Sequence, residues 1–95
     1  LVKHYAKKLG ISRPEFRIKN QYKRWGSCTQ KNQLIFNLRI VMAPMTQVEY
    51  VVAHEMCHIK VKDHSKKYWS LLSSIMEDFG NRKEILRKDG WQYSL

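Results

Sequence analysis

A histidine pair near the middle of the chain constrains its fold more than any other feature. Residues 54–58 read His-Glu-Met-Cys-His, which is an H-E-x-x-H motif. Residues four apart lie on one face of an α-helix, so His54 and His58 can present two ring nitrogens to one cation. Glu55 lies beside that pair, close enough to act on a water bound to the cation. The pattern therefore predicts a helix through the motif and a zinc-dependent hydrolytic site on it.

The residues around the motif also favour a helix. Thr46 and Glu49 have the spacing of a capping box, with Thr46 as the N-cap. Pro44 lies just upstream, where a helix does not easily continue. Apolar residues then recur at helical spacing and predict a buried stripe: Val48, Val51, Val52, Met56 and Ile59. The motif is therefore predicted to lie well inside a helix that begins near Thr46.

A third metal ligand is expected downstream of the pair. His64 stands where the H-E-x-x-H-x-x-G-x-x-H motif has its last histidine, but Val61 replaces the glycine that gives that motif its sharp turn. Other zinc hydrolases take a glutamate from the following helix, which makes Glu77 and Asp78 alternatives. Both acids also fit ordinary exposed positions before a helix end. We predict that His54, His58 and His64 bind Zn²⁺.

A catalytic zinc leaves one coordination position for water, so other side chains must handle the proton and the developing negative charge. Glu55 is the predicted general base. Tyr68, Tyr50 and Arg24 are candidates for stabilising the oxyanion, and no feature of the sequence selects one of them. The segment 34–38 would accept an extended substrate by strand addition if it is a sheet edge, and it is an ordinary core strand otherwise.

Length and cysteine content restrict the class of protein. The 95 residues make one small domain, residues 1–95, whose core is marginal in size, so bound metal would add stability. Cys28 and Cys57 are too few for a disulfide framework, and we expect both to be reduced in a cytoplasmic protein. Cys57 projects about 100° from His58 around the helix axis, away from the metal face. Cys28 as a further ligand stays an alternative. No apolar run reaches the length of a membrane span.

Positive charge is concentrated in the first part of the chain. Residues 1–40 contain ten Lys/Arg and one acid, whereas residues 41–95 contain eight Lys/Arg and seven acids. Lys23, Arg24 and Trp25 are candidate contacts for nucleic acid, DNA in particular, because cations there adjoin an aromatic face. The alternative is a basic face that serves solubility, with Trp25 buried. A basic module that binds nucleic acid or a protein partner around a structural zinc is accordingly the second functional hypothesis.

The pattern along the whole chain predicts an α+β domain. We expect a short antiparallel or mixed three-stranded sheet packed on the H-E-x-x-H helix, with further helices after it. The other predicted elements are a helix of Val2, Tyr5, Ala6 and Leu9 that stops at Gly10, strands over 15–20, 24–28 and 34–40, a turn over 29–33, a helix from Ser65 to Gly80, a last helix from Asn81 to Gly90, and a tail packed through Trp91. In the third strand, Leu34, Phe36, Leu38 and Ile40 should share one face.

Several short segments occur in a distinctive order. They are Arg24-Trp25-Gly26-Ser27-Cys28, Phe36-Asn37-Leu38-Arg39, Pro44, Tyr50-Val51-Val52-Ala53-His54-Glu55, and His64-Ser65 with Tyr68-Trp69. This order resembles the YgjP-like metallopeptidase family, a zincin group related to the SprT-like and WLM proteases, over nearly the whole chain. The family's N-H-S-x-x-F-W signature has Asp63 for its Asn and Tyr68 for its Phe. Neither change removes a predicted ligand.

The resemblance implies a small zincin-like domain that hydrolyses peptide bonds in peptide or protein substrates. It implies His54, His58 and His64 as zinc ligands and Glu55 as the base. Members of the family usually carry an additional N-terminal, strand-rich segment, so the resemblance implies that this chain is the C-terminal catalytic part. The SprT-like relatives imply proteolysis near DNA, which agrees with the basic first half.

Overall fold

Four α-helices and three short strands make up the part of the chain that the computed structural model describes, residues 1–20 and 24–89. The elements are α1 (Val2–Leu9), β1 (Phe16–Lys19), β2 (Gly26–Cys28), β3 (Leu34–Asn37), a 3-10 helix (Leu38–Met42), α2 (Met45–Lys60), α3 (Lys66–Ile75) and α4 (Phe79–Asp89). The predicted α+β class and element order are confirmed. In these ranges, no helix is both long enough and apolar enough to cross a bilayer.

The three strands form a mixed sheet in the order β1-β3-β2. β1 runs parallel to β3, with Phe16 opposite Leu34, and β2 runs antiparallel to β3, with Gly26 opposite Phe36. The central position of β3 shows that the strand-addition alternative for residues 34–38 is wrong, because both sides of this strand are already paired. All four residues of the edge strand β1 are exposed.

α2 is the central element of the core. It contacts α1, α3, α4 and β2, and nine consecutive residues, Tyr50 to His58, are buried. A helix that is packed on several sides is buried around most of its circumference, so its polar motif residues lie inside the fold as well. The largest fully buried side chains come from α2, the sheet and α3: Tyr50, Val51, Met56, Cys57, Leu34, Asn37, Tyr68 and Leu72.

The third strand is shorter than predicted. It ends at Asn37, whose Oδ1 accepts a hydrogen bond from the Arg39 backbone N–H and whose Nδ2 donates to the Arg24 carbonyl. An Asn side chain bonded two residues ahead turns the backbone, so a 3-10 helix follows. Leu38 is therefore 52% exposed, and the prediction that it shares the buried face of Leu34, Phe36 and Ile40 is wrong.

The predicted capping box of α2 is also wrong. The helix begins at Met45 with Pro44 as its N-cap, and no side chain caps it. Glu49 does not fold back to Thr46 but accepts a hydrogen bond from Arg82 of α4 at 3.2 Å. Arg82 also donates to the Thr46 carbonyl. A tertiary ion pair thus replaces the local cap.

The boundary between α3 and α4 lies earlier than predicted. α3 ends at Ile75, and Gly80 and Asn81 lie inside α4 instead of between two helices. Arg82 Nε lies 3.0 Å from both carboxylate oxygens of Asp78 and donates to them. Asp78 therefore holds the same guanidinium group that attaches α4 to α2 through Glu49 and the Thr46 carbonyl. Ser65 does precede α3, but its side chain makes no capping bond. The predicted stop at Gly90 and the tail of Trp91 lie outside the described residues.

Candidate metal centre

Three histidines meet where α2 ends and the loop before α3 returns across it. One ligand atom from each of His54, His58 and His64 lies within 4.8 Å of the others. The Nε2 atoms of His58 and His64 are 3.0 Å apart. His54 and His58 are buried and His64 is exposed. Among the described residues, this is the group of side chains that can hold a metal ion, and it is open to solvent on the His64 side.

The orientation of His58 suits metal binding. Its Nδ1 lies 2.9 Å from the Val61 carbonyl oxygen, so the ring donates from Nδ1 and directs the Nε2 lone pair toward His64. A backbone carbonyl behind the ring is a common way to fix the tautomer of a metal-binding histidine. Burial lowers the pKa of both His58 and His64. Since only the neutral ring binds a cation, this shift also favours ligation.

Glu55 is a residue of α2 whose side chain packs against β2 of the sheet. It is 2% exposed, and its Oε2 lies 3.2 Å from His54 Nδ1. A hydrogen bond from Nδ1 leaves the Nε2 of His54 for a cation. β2 passes so close that a Cβ built on Gly26 would lie 3.0 Å from the Glu55 Cγ. Gly26 therefore permits the close approach that places the carboxylate at the site.

The three oxyanion candidates have different surroundings. Tyr68 stacks on His58, with ring centroids 4.4 Å apart, and its hydroxyl donates to the His54 carbonyl at 2.7 Å. The buried Tyr50 hydroxyl has no hydrogen-bond partner among the described residues, and its ring centroid is 5.7 Å from that of His54. Arg24 is exposed, and no described contact joins its guanidinium to the histidines.

A cavity of about 270 Å³ adjoins the histidines. Its lining residues come from four separate segments: Trp25, Tyr50, His54, His64, Trp69, Lys83, Leu86 and Arg87. The sequence did not indicate a site role for Trp69, Lys83, Leu86 or Arg87, because only the packing of α3 and α4 on α2 brings them together. Trp25 thus forms part of the cavity wall, while Lys23, the other proposed nucleic-acid contact besides Arg24, lies outside the described residues.

The alternative ligands lie elsewhere. Glu77 and Asp78 line a different cavity, which they share with His4 and Arg82, and they do not belong to the histidine group. Cys28 and Cys57 are free. Burial raises the pKa of Cys57 to about 12, so its thiol is protonated at neutral pH. Neither cysteine lies in the metal-binding group of the described residues.

Comparison with known proteins decides the family. The profile of the YgjP-like metallopeptidase domain matches residues 1–89. The chain belongs to the YgjP-like metallopeptidase family. Membership makes it a hydrolase of peptide or protein substrates and implies that it uses a metal. A search of curated protein sequences gives no significant match.

Two solved structures share the fold of this YgjP-like domain. One is the metallopeptidase zymogen of Pyrococcus abyssi abylysin, with a TM-score of 0.87, 16% identity, and coverage of 99% of this chain and 95% of that one. The other is the metallopeptidase zymogen of Methanocaldococcus jannaschii jannalysin, with a TM-score of 0.76, 22% identity, and coverage of 92% and 91%. The predicted small zincin-like architecture is confirmed at the level of fold.

Proposed function

We propose that the chain is a zinc peptidase whose metal is bound by His54, His58 and His64. The observation that carries the proposal is the meeting of three histidine ligand atoms within 4.8 Å. Three histidines with one side open to solvent are the donor set of a catalytic zinc site, whereas a structural site fills its fourth position with another protein ligand. A zinc ion bound there would lower the pKa of a coordinated water to about 7 and polarise the carbonyl of the scissile bond.

Glu55 is the proposed general base. Its burial and its contact with His54 Nδ1 hold the carboxylate beside the ligands. From there it accepts the proton of the attacking water and delivers it to the leaving amine. A module whose zinc is only structural has no need of a buried carboxylate in this position, and this favours the enzyme over the second hypothesis.

Tyr50 is the proposed oxyanion donor. Tyr50 lines the cavity, and its buried hydroxyl has no hydrogen-bond partner among the described residues. Burial raises its pKa well above the usual range for tyrosine, so the phenol keeps its proton. A preorganised donor that is itself shielded from water stabilises the developing negative charge more than a solvated one. The Tyr68 hydroxyl already donates to the His54 carbonyl, and Arg24 has no described contact with the site.

Zinc removal tests the proposed function. Protein purified without chelators should contain about one zinc per chain and should hydrolyse a mixture of quenched fluorescent peptides. A chelator should abolish hydrolysis, and added zinc should restore it. Protein that contains no zinc and takes none up would overturn the proposal.

Docking to nucleic acid through Lys23, Arg24 and Trp25 stays a prediction. It rests on the charge asymmetry and predicts binding of single-stranded DNA that weakens steeply with salt. The position of Trp25 in the cavity wall beside His54 and His64 favours its use at the peptidase site. Absence of DNA binding even at low salt would leave the positive charge as a solubility feature.

A further inference from the structure

Lys83 differs from the two arginines beside it on α4. Arg82 is paired with Glu49 and Asp78, and Arg87 is paired with Glu84. Among the described residues, Lys83 has no carboxylate partner, although it is exposed and lines the cavity beside His54 and His64. The cavity therefore has one positive charge that forms no ion pair among the described residues.

An aromatic stack sets the position of Lys83 relative to the metal ligands. The Trp69 ring lies nearly parallel to the His64 ring, with centroids 5.5 Å apart, and stacks on Phe79 as well. The indole N–H of Trp69 donates to the His64 carbonyl at 3.2 Å. The Lys83 ammonium lies over Trp69, 4.4 Å from the ring centroid. A cation on an aromatic face is held without losing its charge, so the ammonium stays available to a ligand.

We propose that this cavity is a substrate subsite that binds an apolar side chain next to a carboxylate, with Lys83 as the residue that selects for the carboxylate. The inference rests on the proposed peptidase function, which it extends to the class of substrate. Trp25, Trp69 and Leu86 supply the apolar walls. Lys83 attracts the negative charge at their edge.

Two sources of the carboxylate fit this chemistry. One is the side chain of an acidic residue adjacent to the apolar residue, and the other is the free C-terminus of a short peptide. Both place an anion near the Lys83 ammonium, which attracts it through its charge. The formal net charge of +10 also attracts anionic peptides to the molecule over a longer range.

Peptide binding to zinc-loaded Glu55→Gln protein tests the inference without hydrolysis. The probes are fluorescent peptides of one length with Phe followed by Glu, Gln or Lys, all with amidated C-termini, and the Phe-Gln peptide with a free C-terminus. We expect the Glu peptide, the free-carboxylate peptide or both to bind on the order of fivefold tighter than amidated Phe-Gln, and Phe-Lys to bind weakest. The member of the first pair that gains affinity identifies the source of the carboxylate.

Substitutions on α4 assign that preference to Lys83. Lys83→Met should remove it, Lys83→Glu should reverse it and Lys83→Arg should retain it. Lys88→Met is the matched control, because Lys88 is an exposed lysine on the same helix that does not line the cavity. In the parent protein, the preference should also shrink at high salt, which tests the charge without any substitution at Lys83.

The outcomes separate this inference from the proposed function. Equal binding of all four peptides, or a carboxylate preference that survives Lys83→Met, would overturn the subsite. If the wild-type chain hydrolyses all four peptides, including Phe-Gln with a free C-terminus, with equal kcat/KM, the peptidase stands and the subsite falls. If selective binding is observed but the wild-type chain cleaves nothing, the subsite stands and the peptidase proposal falls.

Discussion

At the scale of single residues, the bond between His58 Nδ1 and the Val61 carbonyl orients the site. The bond is 2.9 Å long and leaves Nε2 facing His64. Val61 occupies the position at which the H-E-x-x-H-x-x-G-x-x-H motif has glycine, and its backbone is extended, with φ −135°. The chain therefore brings the third histidine back to the pair without the turn that requires glycine. A β-branched residue is well suited to that extended conformation.

Replacing the third histidine should separate the ligand hypotheses. Removing a residue that only hydrogen-bonds a metal ligand typically weakens metal binding by ~10–100-fold. We expect His64→Ala to weaken zinc binding by more than this, because it removes a direct ligand. Glu77→Ala is the control and should leave zinc affinity unchanged, since Glu77 lines a different cavity. Competition with a chromophoric chelator measures both affinities. The reverse pattern would assign the third ligand to Glu77.

The two buried tyrosines should respond differently to loss of the hydroxyl. Tyr50→Phe should lower kcat by about 10²–10³ with little change in stability, as expected for loss of one oxyanion donor. Tyr68→Phe should instead destabilise the fold by about 0.5–1.5 kcal/mol, because the buried His54 carbonyl loses the donor that it has in addition to the helical N–H. Steady-state kinetics and urea denaturation of both variants distinguish the two roles. Unchanged kcat in Tyr50→Phe would exclude this residue as the donor.

At the scale of elements, α2 and β2 form the framework of the site. α2 carries two of the histidines and Glu55, and β2 covers Glu55 from the side of the sheet. The contact depends on Gly26, where a Cβ would meet the Glu55 Cγ at 3.0 Å, a Val51 methyl group at 3.3 Å and the Ile35 carbonyl oxygen at 3.4 Å. Two of these neighbours belong to the packed core and one is backbone, so little room for adjustment exists.

A glycine pair tests this contact. Gly26→Ala should cost about 1–3 kcal/mol of unfolding free energy, as overpacking does, and should reduce hydrolysis more than zinc affinity, because it displaces Glu55 and not the histidines. Gly80→Ala is the control: nothing lies within 4 Å of its built Cβ, and alanine in a helix is favoured by up to about 1 kcal/mol. Urea denaturation together with kinetics gives both readouts. Wild-type stability and activity in Gly26→Ala would contradict the account.

Local periodicity predicted the elements better than it predicted their ends. The helix of Val2–Leu9 and its end could be predicted because a glycine follows the last apolar residue. In the structure, Gly10 takes the left-handed conformation that ends helices, with φ 68°. The break between α3 and α4 was not visible, since Met76 and Phe79 continue the apolar spacing and the break contains neither glycine nor proline. Arg82 sets that boundary through contacts with α2, which are tertiary and leave no local pattern.

For the candidate site too, residues carried by one element could be predicted, whereas residues brought together by the packing of several elements could not. His54, Glu55 and His58 could be predicted because one helix carries them at fixed spacing. Trp69 and Lys83 could not be assigned to a cavity, because their meeting depends on how α3 and α4 pack. Tyr68 stays an untested oxyanion candidate from the sequence, and only the folded structure shows that its hydroxyl donates to a backbone carbonyl. Spacing predicts shared faces of one element, whereas cavities arise between elements.

At the scale of the whole molecule, the chain is small and strongly basic. The described structure has a Cα radius of gyration of 12.2 Å, and the full sequence has a formal net charge of +10. Small domains bury a smaller fraction of their surface than large ones, and self-repulsion of like charges further opposes the compact state. A cation bound between α2 and the loop that carries His64 would add a link that the apolar core does not provide.

Metal binding should therefore stabilise the fold. A ligand that binds only the native state adds about 2.7 kcal/mol when its free concentration is 100 times its Kd. We expect the thermal midpoint of the zinc-loaded chain to fall on addition of a chelator and to recover with zinc. His64→Ala should show little dependence on either addition. Identical melting curves of the wild-type chain with and without zinc would contradict a metal link in the native state.

The most direct test of the central claim compares wild-type protein with Glu55→Gln, with zinc content and peptide hydrolysis measured on the same preparations. Glutamine keeps the size of the side chain but cannot accept the proton of the attacking water. We predict about one zinc per chain in both proteins and hydrolysis that is slower by ~10²–10⁴ in Glu55→Gln. Equal turnover by the two proteins at equal zinc content would contradict the role of Glu55 and the mechanism built on it.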